Sequence, residues 1–128
     1  MDPYKTGLLR AAKSPYNCDS VTQAICATVL REQSILQHCR DEIILQTQRL
    51  YAGLSNLAHR YPDQIETVYA PRTNFVFVKT ANAREIFMQL QQAGIAVRCF
   101  PDGLRICAGT RREQTLLLSE LEQILQPE

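Results

Sequence analysis

A chain of 128 residues is one domain's worth, long enough to bury about two-thirds of its unfolded surface around a single core. Apolar residues make up 45% and charged residues 21%, an ordinary globular composition that excludes a disordered or fibrous chain. A formal net charge of +1 argues against nucleic acid or an acidic membrane as partner, no apolar run reaches membrane-spanning length, and the opening MDPYKTGLLRAAK lacks the apolar heart of a signal peptide, so a cytoplasmic protein is expected.

In chain order, Ser20-Val-Thr-Gln23 fits the S-x-x-Q capping box, and Val21, Ala24, Ile25 and Val29 follow at helical spacing. Helical periodicity continues through Leu36, Cys39, Ile43, Leu50, Leu54, Leu57 and Tyr61, with a break expected near Ser34 and a stop at Pro62. His38 and His59 lie on the charged side of this stretch and read as surface residues. Beyond Pro62 the period shortens. Ile65–Ala70 and Asn74–Lys79 read as strands joined by the turn-prone Pro71-Arg-Thr73. Asn82 is the expected cap of the next helix, with Glu85 three residues on and Ile86, Phe87 and Leu90 as its inner face; Gly94 ends it. Strands over 95–100 and 104–108 follow, then a helix opened by the capping box Thr110-Arg-Arg-Glu113 and bearing Leu117, Leu121, Ile124 and Leu125.

The expected fold class is therefore α+β: a two-layer single domain over 1–128, helical to about residue 61 and β-β-α-β-β-α from about 62 to 128, with helices packed on a mixed or antiparallel sheet. The cysteines, Cys18, Cys26, Cys39, Cys99 and Cys107, are odd in number and contain no C-x-x-C pair, so they read as small apolar residues rather than a disulfide framework or zinc site. No metal centre is expected.

The chemistry concentrates in Val97–Thr110, VRCFPDGLRICAGT. Asp102-Gly103 is a strong signal for a two-residue hairpin loop with positive φ, which pairs Phe100 with Arg105 and Arg98 with Cys107. Side chains alternate along each strand, so Val97, Cys99, Leu104, Ile106 and Ala108 share one face and Arg98, Phe100, Arg105 and Cys107 the other. Any even loop length preserves that division. Two readings of the arginines fit: an anion clamp, or a solvated face. The strand NFVFVK favours the first, because Phe75 and Phe77 make its second side apolar as well and imply that something covers that side, either the N-terminal segment or a partner.

SPYN before a helix, then TNFVFVK, AGIAVRCF, GLRICAGT and RREQTLLLSELEQIL together resemble, in order and spacing, the C-terminal small domain of the histidinol-phosphate aminotransferases, which are fold type I pyridoxal phosphate enzymes. The resemblance covers nearly the whole chain, and threonine-phosphate decarboxylases are similar over the same region. It implies that Arg105, in the L-R-I motif, binds a substrate carboxylate, for which a planar two-pronged donor is suited. It implies that Arg98, in the V-R motif, helps to hold the phosphate of histidinol phosphate. Tyr16 and Asn17 stand where the family chain leaves its large domain.

That large domain supplies the Schiff-base lysine, the aspartate on the pyridine nitrogen and the phosphate cup. None of these is matched here: Lys5, Lys13 and Lys79 are the only lysines, and none stands in the family's motif. The resemblance thus implies a fragment that contributes substrate-anion-binding arginines, binds no pyridoxal phosphate alone and is inactive alone. Its partners would be the missing large domain, a small anionic substrate and a second copy in a homodimer. The parent reaction would move an amino group between glutamate and imidazole acetol phosphate. A rival from another class is an independent anion-binding or protein-binding module on the same fold.

Overall fold

The structure, a computed structural model, describes residues 2–12 and 18–126; Lys13, Tyr16 and Asn17 lie outside the described residues. The chain divides into two compact units, Met1–Gln37 and His38–Glu128, with the division inside one helix.

The first unit contains α1 (Pro3–Ala12), α2 (Ser20–Val29) and the first turn of α3 (Gln33–Arg60). The sequence reading contains no α1. Its signals are local: Pro3 at the first helical position and Asp2, whose Oδ1 accepts from the Tyr4 amide at 3.0 Å. The cap of α2 is Asp19, one residue before the expected Ser20, because the Asp19 carboxylate accepts from both the amide and the hydroxyl of Thr22. Those two bonds, the amide's foremost, hold the Asp19 carboxyl below its ordinary value. Val21, Ile25 and Val29, the apolar positions at helical spacing, are exposed. The helical break falls at Leu30–Glu32, just ahead of the expected position, where the amides of Arg31 and Glu32 turn back to the carbonyls of Thr28 and Val29.

In the second unit Leu50, Leu54 and Leu57 form the buried stripe of α3, whereas Ile43, further up the same helix, is half exposed. Tyr61 donates the last helical amide bond to Leu57, and Pro62 prevents the next. Four strands follow: β1 (Thr67–Tyr69), β2 (Phe75–Lys79), β3 (Arg98–Phe100) and β4 (Gly103–Cys107), interrupted by α4 (Ala83–Gln92) and followed by α5 (Arg111–Leu125). They form one antiparallel sheet in the order β1-β2-β4-β3, so β2 and β4, far apart in sequence, make its centre. Val76, Val78, Leu104 and Ile106 point from that centre into a core completed by the α3 leucines, by Ala83, Ile86 and Leu90 of α4, and by Leu117, Leu121 and Leu125 of α5. This is the expected two-layer α+β arrangement.

Two helix starts and one stop fix the loops around the sheet. Asn82 precedes α4, but its side chain makes no capping bond and donates to Gln64 instead; the buried Thr80 hydroxyl accepts from the Asn82 amide and donates to the Gln64 carbonyl. Gly94, at φ 77°, closes α4: its amide bonds the Gln91 carbonyl, and the Ile95 amide reaches back to Leu90 at 2.8 Å. That double closure holds Ile95 to the helix end, so the expected strand over 95–100 starts only at Arg98. At α5 the capping box is complete, with Thr110 and Glu113 bonding reciprocally. Gln114 then bridges the layers through its side-chain amide, which donates to the carbonyls of Gly109 and Gln46.

Hydrogen bonds from the Thr110 hydroxyl and then its amide hold the Glu113 carboxyl below its ordinary value of 4.5. A carboxylate depressed in the folded state contributes stability that is fully present above the unfolded value and is lost as pH falls through the folded one. Urea midpoints measured from neutral pH down to about pH 3 should therefore fall more steeply for the wild type than for Glu113→Gln, which cannot titrate; parallel curves would mean that this carboxylate carries no folding linkage.

Candidate functional site

The alternation that fills the core fills the opposite side of the sheet with a different set of residues. Cross-strand partners lie on one face, and the pairs Tyr69↔Phe77, Phe77↔Arg105, Phe75↔Cys107 and Arg98↔Arg105 gather there. None of these residues belongs to the core cluster of the second unit. Tyr69, Phe100, Cys107 and Arg98 are exposed, and Phe75, Phe77 and Arg105 are half buried.

The hairpin register differs from the expected one. Phe100 pairs with Gly103, so the loop is Pro101-Asp102 rather than Asp102-Gly103, and Arg98 lies directly opposite Arg105 instead of Cys107. The physical reason is Pro101. Its ring fixes a negative φ that suits the first central position of an ordinary turn, and among the described residues Gly94 alone has positive φ, so no type I′ turn forms. Moving the loop by one residue shifts the pairing by two, which returns every side chain to the face expected of it. Gly103 is needed for close approach rather than for its φ: a Cβ there would meet the Val78 carbonyl and the ring of Phe77. That ring in turn stands 5.8 Å from Phe100 in an edge contact and 6.0 Å from Tyr69.

Direct opposition brings the two guanidinium stems close. The Ala108 amide bonds the Asn74 carbonyl on the β2 side, so Arg105 turns its own main-chain groups toward β3, and Arg98 and Arg105 form a hydrogen-bonded pair with Cα atoms about 5.5 Å apart. Like charges at such a position repel. Among the described residues neither arginine has a carboxylate partner. Arg105 lies instead over the ring of Phe75, 4.6 Å from its centroid, with one terminal nitrogen 3.9 Å from the Cys107 sulfur. Its Nε is buried without any hydrogen-bond partner. A guanidinium stacked on an aromatic ring, opposite a second cation and with an unsatisfied donor, is suited to receive an anion.

Sequence reasoning identified Arg98, Arg105, Phe100 and Cys107 as sharing a face and missed Phe75 as the ring beneath Arg105. The alternation in NFVFVK was a usable signal for it, but only once β2 is known to pair with β4.

Lys79 shares the strand parity of Phe75 and Phe77 but is ion-paired with Glu66 at 2.6 Å, and that hydrogen bond raises its pKa. A Schiff-base lysine needs the opposite shift. Lys5 lies on α1 in the first unit. The described residues therefore do not fit a pyridoxal phosphate site, and no group of three His, Cys, Asp or Glu among them is arranged to hold a metal. His38 and His59 are exposed, the latter contacting the Ser55 carbonyl. All five cysteines are free, and four are exposed rather than filling the core. No helix among the described residues is long and apolar enough to cross a membrane.

Against known proteins, the family model for aminotransferases of class I and II matches residues 7–121. The chain is 28% identical over 125 residues to the histidinol-phosphate aminotransferase of Ruminiclostridium cellulolyticum, covering 93% of this chain and 33% of that protein. With the histidinol-phosphate aminotransferase of Synechococcus elongatus it shares 32% identity over 124 residues, 94% of this chain and 32% of the other. A solved decarboxylase from Sulfurospirillum multivorans superposes with a TM-score of 0.70 at 22% identity, over 98% of this chain and 38% of that one. A putative aminotransferase from Burkholderia pseudomallei gives 0.58 at 22% identity, over 67% and 26%. The chain spans about a third of the length of the curated relatives it matches.

The arginine face should cost the isolated chain stability. Arg105→Leu removes both the like-charge opposition and the unsatisfied Nε and keeps an apolar stem over Phe75, so it should raise folding stability by about 1 kcal/mol, read from the urea midpoint. A destabilised variant would show that the cation–ring contact outweighs those costs.

Proposed function

From the premise that this chain belongs to the class I and II aminotransferase family, whose members depend in general on pyridoxal phosphate, we propose that it is the C-terminal small-domain portion of a histidinol-phosphate-aminotransferase-like protein. It supplies the substrate-anion half of a site and none of the cofactor chemistry. The observation that carries this reading is the opposed pair Arg98 and Arg105 on the aromatic face, without a carboxylate partner among the described residues. The names of the relatives support the choice of parent reaction, transfer of an amino group between glutamate and imidazole acetol phosphate.

On this reading the chain's own residues bind and orient, and do not move protons. Arg105, held by Phe75 beneath it, offers a planar fork to a substrate carboxylate, and Arg98 across the rung adds charge for a phosphate. Phe77 and Phe100 form an apolar wall beside them. The likeness in fold to a decarboxylase keeps a decarboxylating parent as the second reading: it would use the same arginines on a different anionic substrate.

Half a pocket binds weakly. Small dianions such as phosphate or glutarate should bind with ~mM Kd, about −4 kcal/mol. Amide shifts should centre on residues 98–107 and vanish when Arg98→Ala and Arg105→Ala are combined; shifts centred elsewhere would dissolve the clamp.

The cofactor assignment has its own test. Titration with pyridoxal phosphate should give no stoichiometric imine absorption from the chain alone, since the described lysines form no Schiff-base pocket. A one-to-one band abolished by replacing a single lysine would overturn the fragment reading, whereas partial labelling of exposed lysines leaves it standing.

A further inference from the structure

Cys107 is the thiol on the arginine face, and it is exposed. It stands two residues from Arg105 on β4, so both side chains leave the same side of the sheet. Its cross-strand partner is Phe75, the ring on which Arg105 lies. Guanidinium, ring and sulfur therefore meet, with a terminal nitrogen of Arg105 3.9 Å from the sulfur. The pairing of β3 stops at Arg98, because the Ile95 amide is held by Leu90 at the end of α4, and so gives Cys107 no opposite residue on that side. The thiol is left open beside two cations.

Cys99, the other cysteine of the hairpin, pairs with Leu104 and packs toward the core on the opposite face, so the hairpin cannot close a disulfide of its own. A sulfur partner for Cys107 has to come from outside the hairpin. The charge of that partner follows from the arginines. Arg98 and Arg105 face each other without a carboxylate among the described residues, and the Arg105 Nε is buried with no acceptor. Charge-assisted hydrogen bonds from such a pair favour a reagent that brings carboxylates with it.

We propose that Cys107 is a thiol–disulfide exchange site for small disulfides that carry carboxylates, docked by Arg98 and Arg105. The Cys107 sulfur, as thiolate, attacks one sulfur of the docked disulfide; a new S–S bond forms, the old one breaks, and the other half leaves as a thiolate. Cys107 is oxidised, the leaving half is reduced, and the proton of the Cys107 thiol passes to solvent or to the departing thiolate. The mixed disulfide keeps its carboxylates beside the arginines, which are then closed to a free anion. The exchange site rests on the arginine geometry and not on the family role; only its effect on free anions rests on the proposed clamp.

The test treats the full 128-residue chain with oxidised glutathione, hydroxyethyl disulfide and cystamine, which are anionic, neutral and cationic. Peptide mass spectrometry reads the rate at Cys107 against that at Cys26, an exposed cysteine on the uncharged helix α2, and this ratio cancels the intrinsic reactivity of each reagent. The ratio should be about tenfold or more higher for oxidised glutathione than for cystamine, with hydroxyethyl disulfide between them. Combining Arg98→Ala with Arg105→Ala should level the three ratios, and added salt should level them in the chain without any substitution. The chain glutathionylated at Cys107 should lose the phosphate and glutarate shifts and regain them on reduction, and Cys107→Ser should keep them throughout. The proposal is overturned if the three ratios are equal, if the preference survives both the loss of the arginines and high salt, or if the modified chain still binds the dianions. A preference at Cys107 without dianion shifts would remove the clamp and keep the exchange site; dianion shifts without a preference would keep the clamp and overturn the site.

Discussion

The pairing of β2 with β4 is the constraint from which the rest follows. Val76↔Ile106 and Val78↔Leu104 put four buried aliphatic side chains on one side of the sheet, where α3, α4 and α5 cover them. Once those four are fixed, alternation leaves no freedom on the other side: Phe77 must face Arg105, and Phe75 must face Cys107. A slip of β2 by one residue would send its valines to the arginine face and its phenylalanines into the core. Burying one aliphatic side chain is worth about 1.5–3 kcal/mol, so four of them outweigh the cost of assembling a cationic, aromatic surface on the other side. The core thus dictates the geometry of the candidate site.

The two faces stand in opposite energetic relation to folding. Core residues are matched to neighbours already present, and even the buried polar groups Thr80 and Gln114 find carbonyls to donate to. The arginine face is left incomplete: it holds a buried guanidinium nitrogen without a partner and two cations across one rung. Such costs are tolerated where the surrounding structure over-determines the arrangement, and they fall when an anion arrives. Phe75 offsets part of the cost by giving Arg105 a ring to lie on. This is why the same residues read as a defect for the isolated chain and as preorganisation for a site.

How much was legible in the sequence depended on whether the signal was local. Periodicity located α3 through Pro62, the α5 capping box at Thr110 and the stop at Gly94, because each depends on residues within one or two turns. The hairpin showed both success and failure. Asp102-Gly103 has the stronger tabulated preference, yet Pro101 set the loop; face assignment survived because alternation depends only on loop parity. What escaped was non-local. Nothing within Arg98–Phe100 indicates that Ile95 is held back by α4, and nothing near Arg105 names Phe75, which arrives from a strand on the far side of α4 and β3. The exposed stripe on α2 is the converse case: Val21, Ile25 and Val29 declare an apolar face correctly, but a pattern cannot say whether a partner for that face is present.

The incomplete features have a common cause in the closure of α4 and the brevity of β3. A Schellman ending satisfies the last helical carbonyls locally, and in doing so it takes from the sheet the residue that would have extended the edge strand. The sheet therefore ends in a short edge whose inner neighbour, β4, keeps main-chain groups unused at Cys107, one rung beyond the arginine pair. Edge and face are then two boundaries of one unfinished surface.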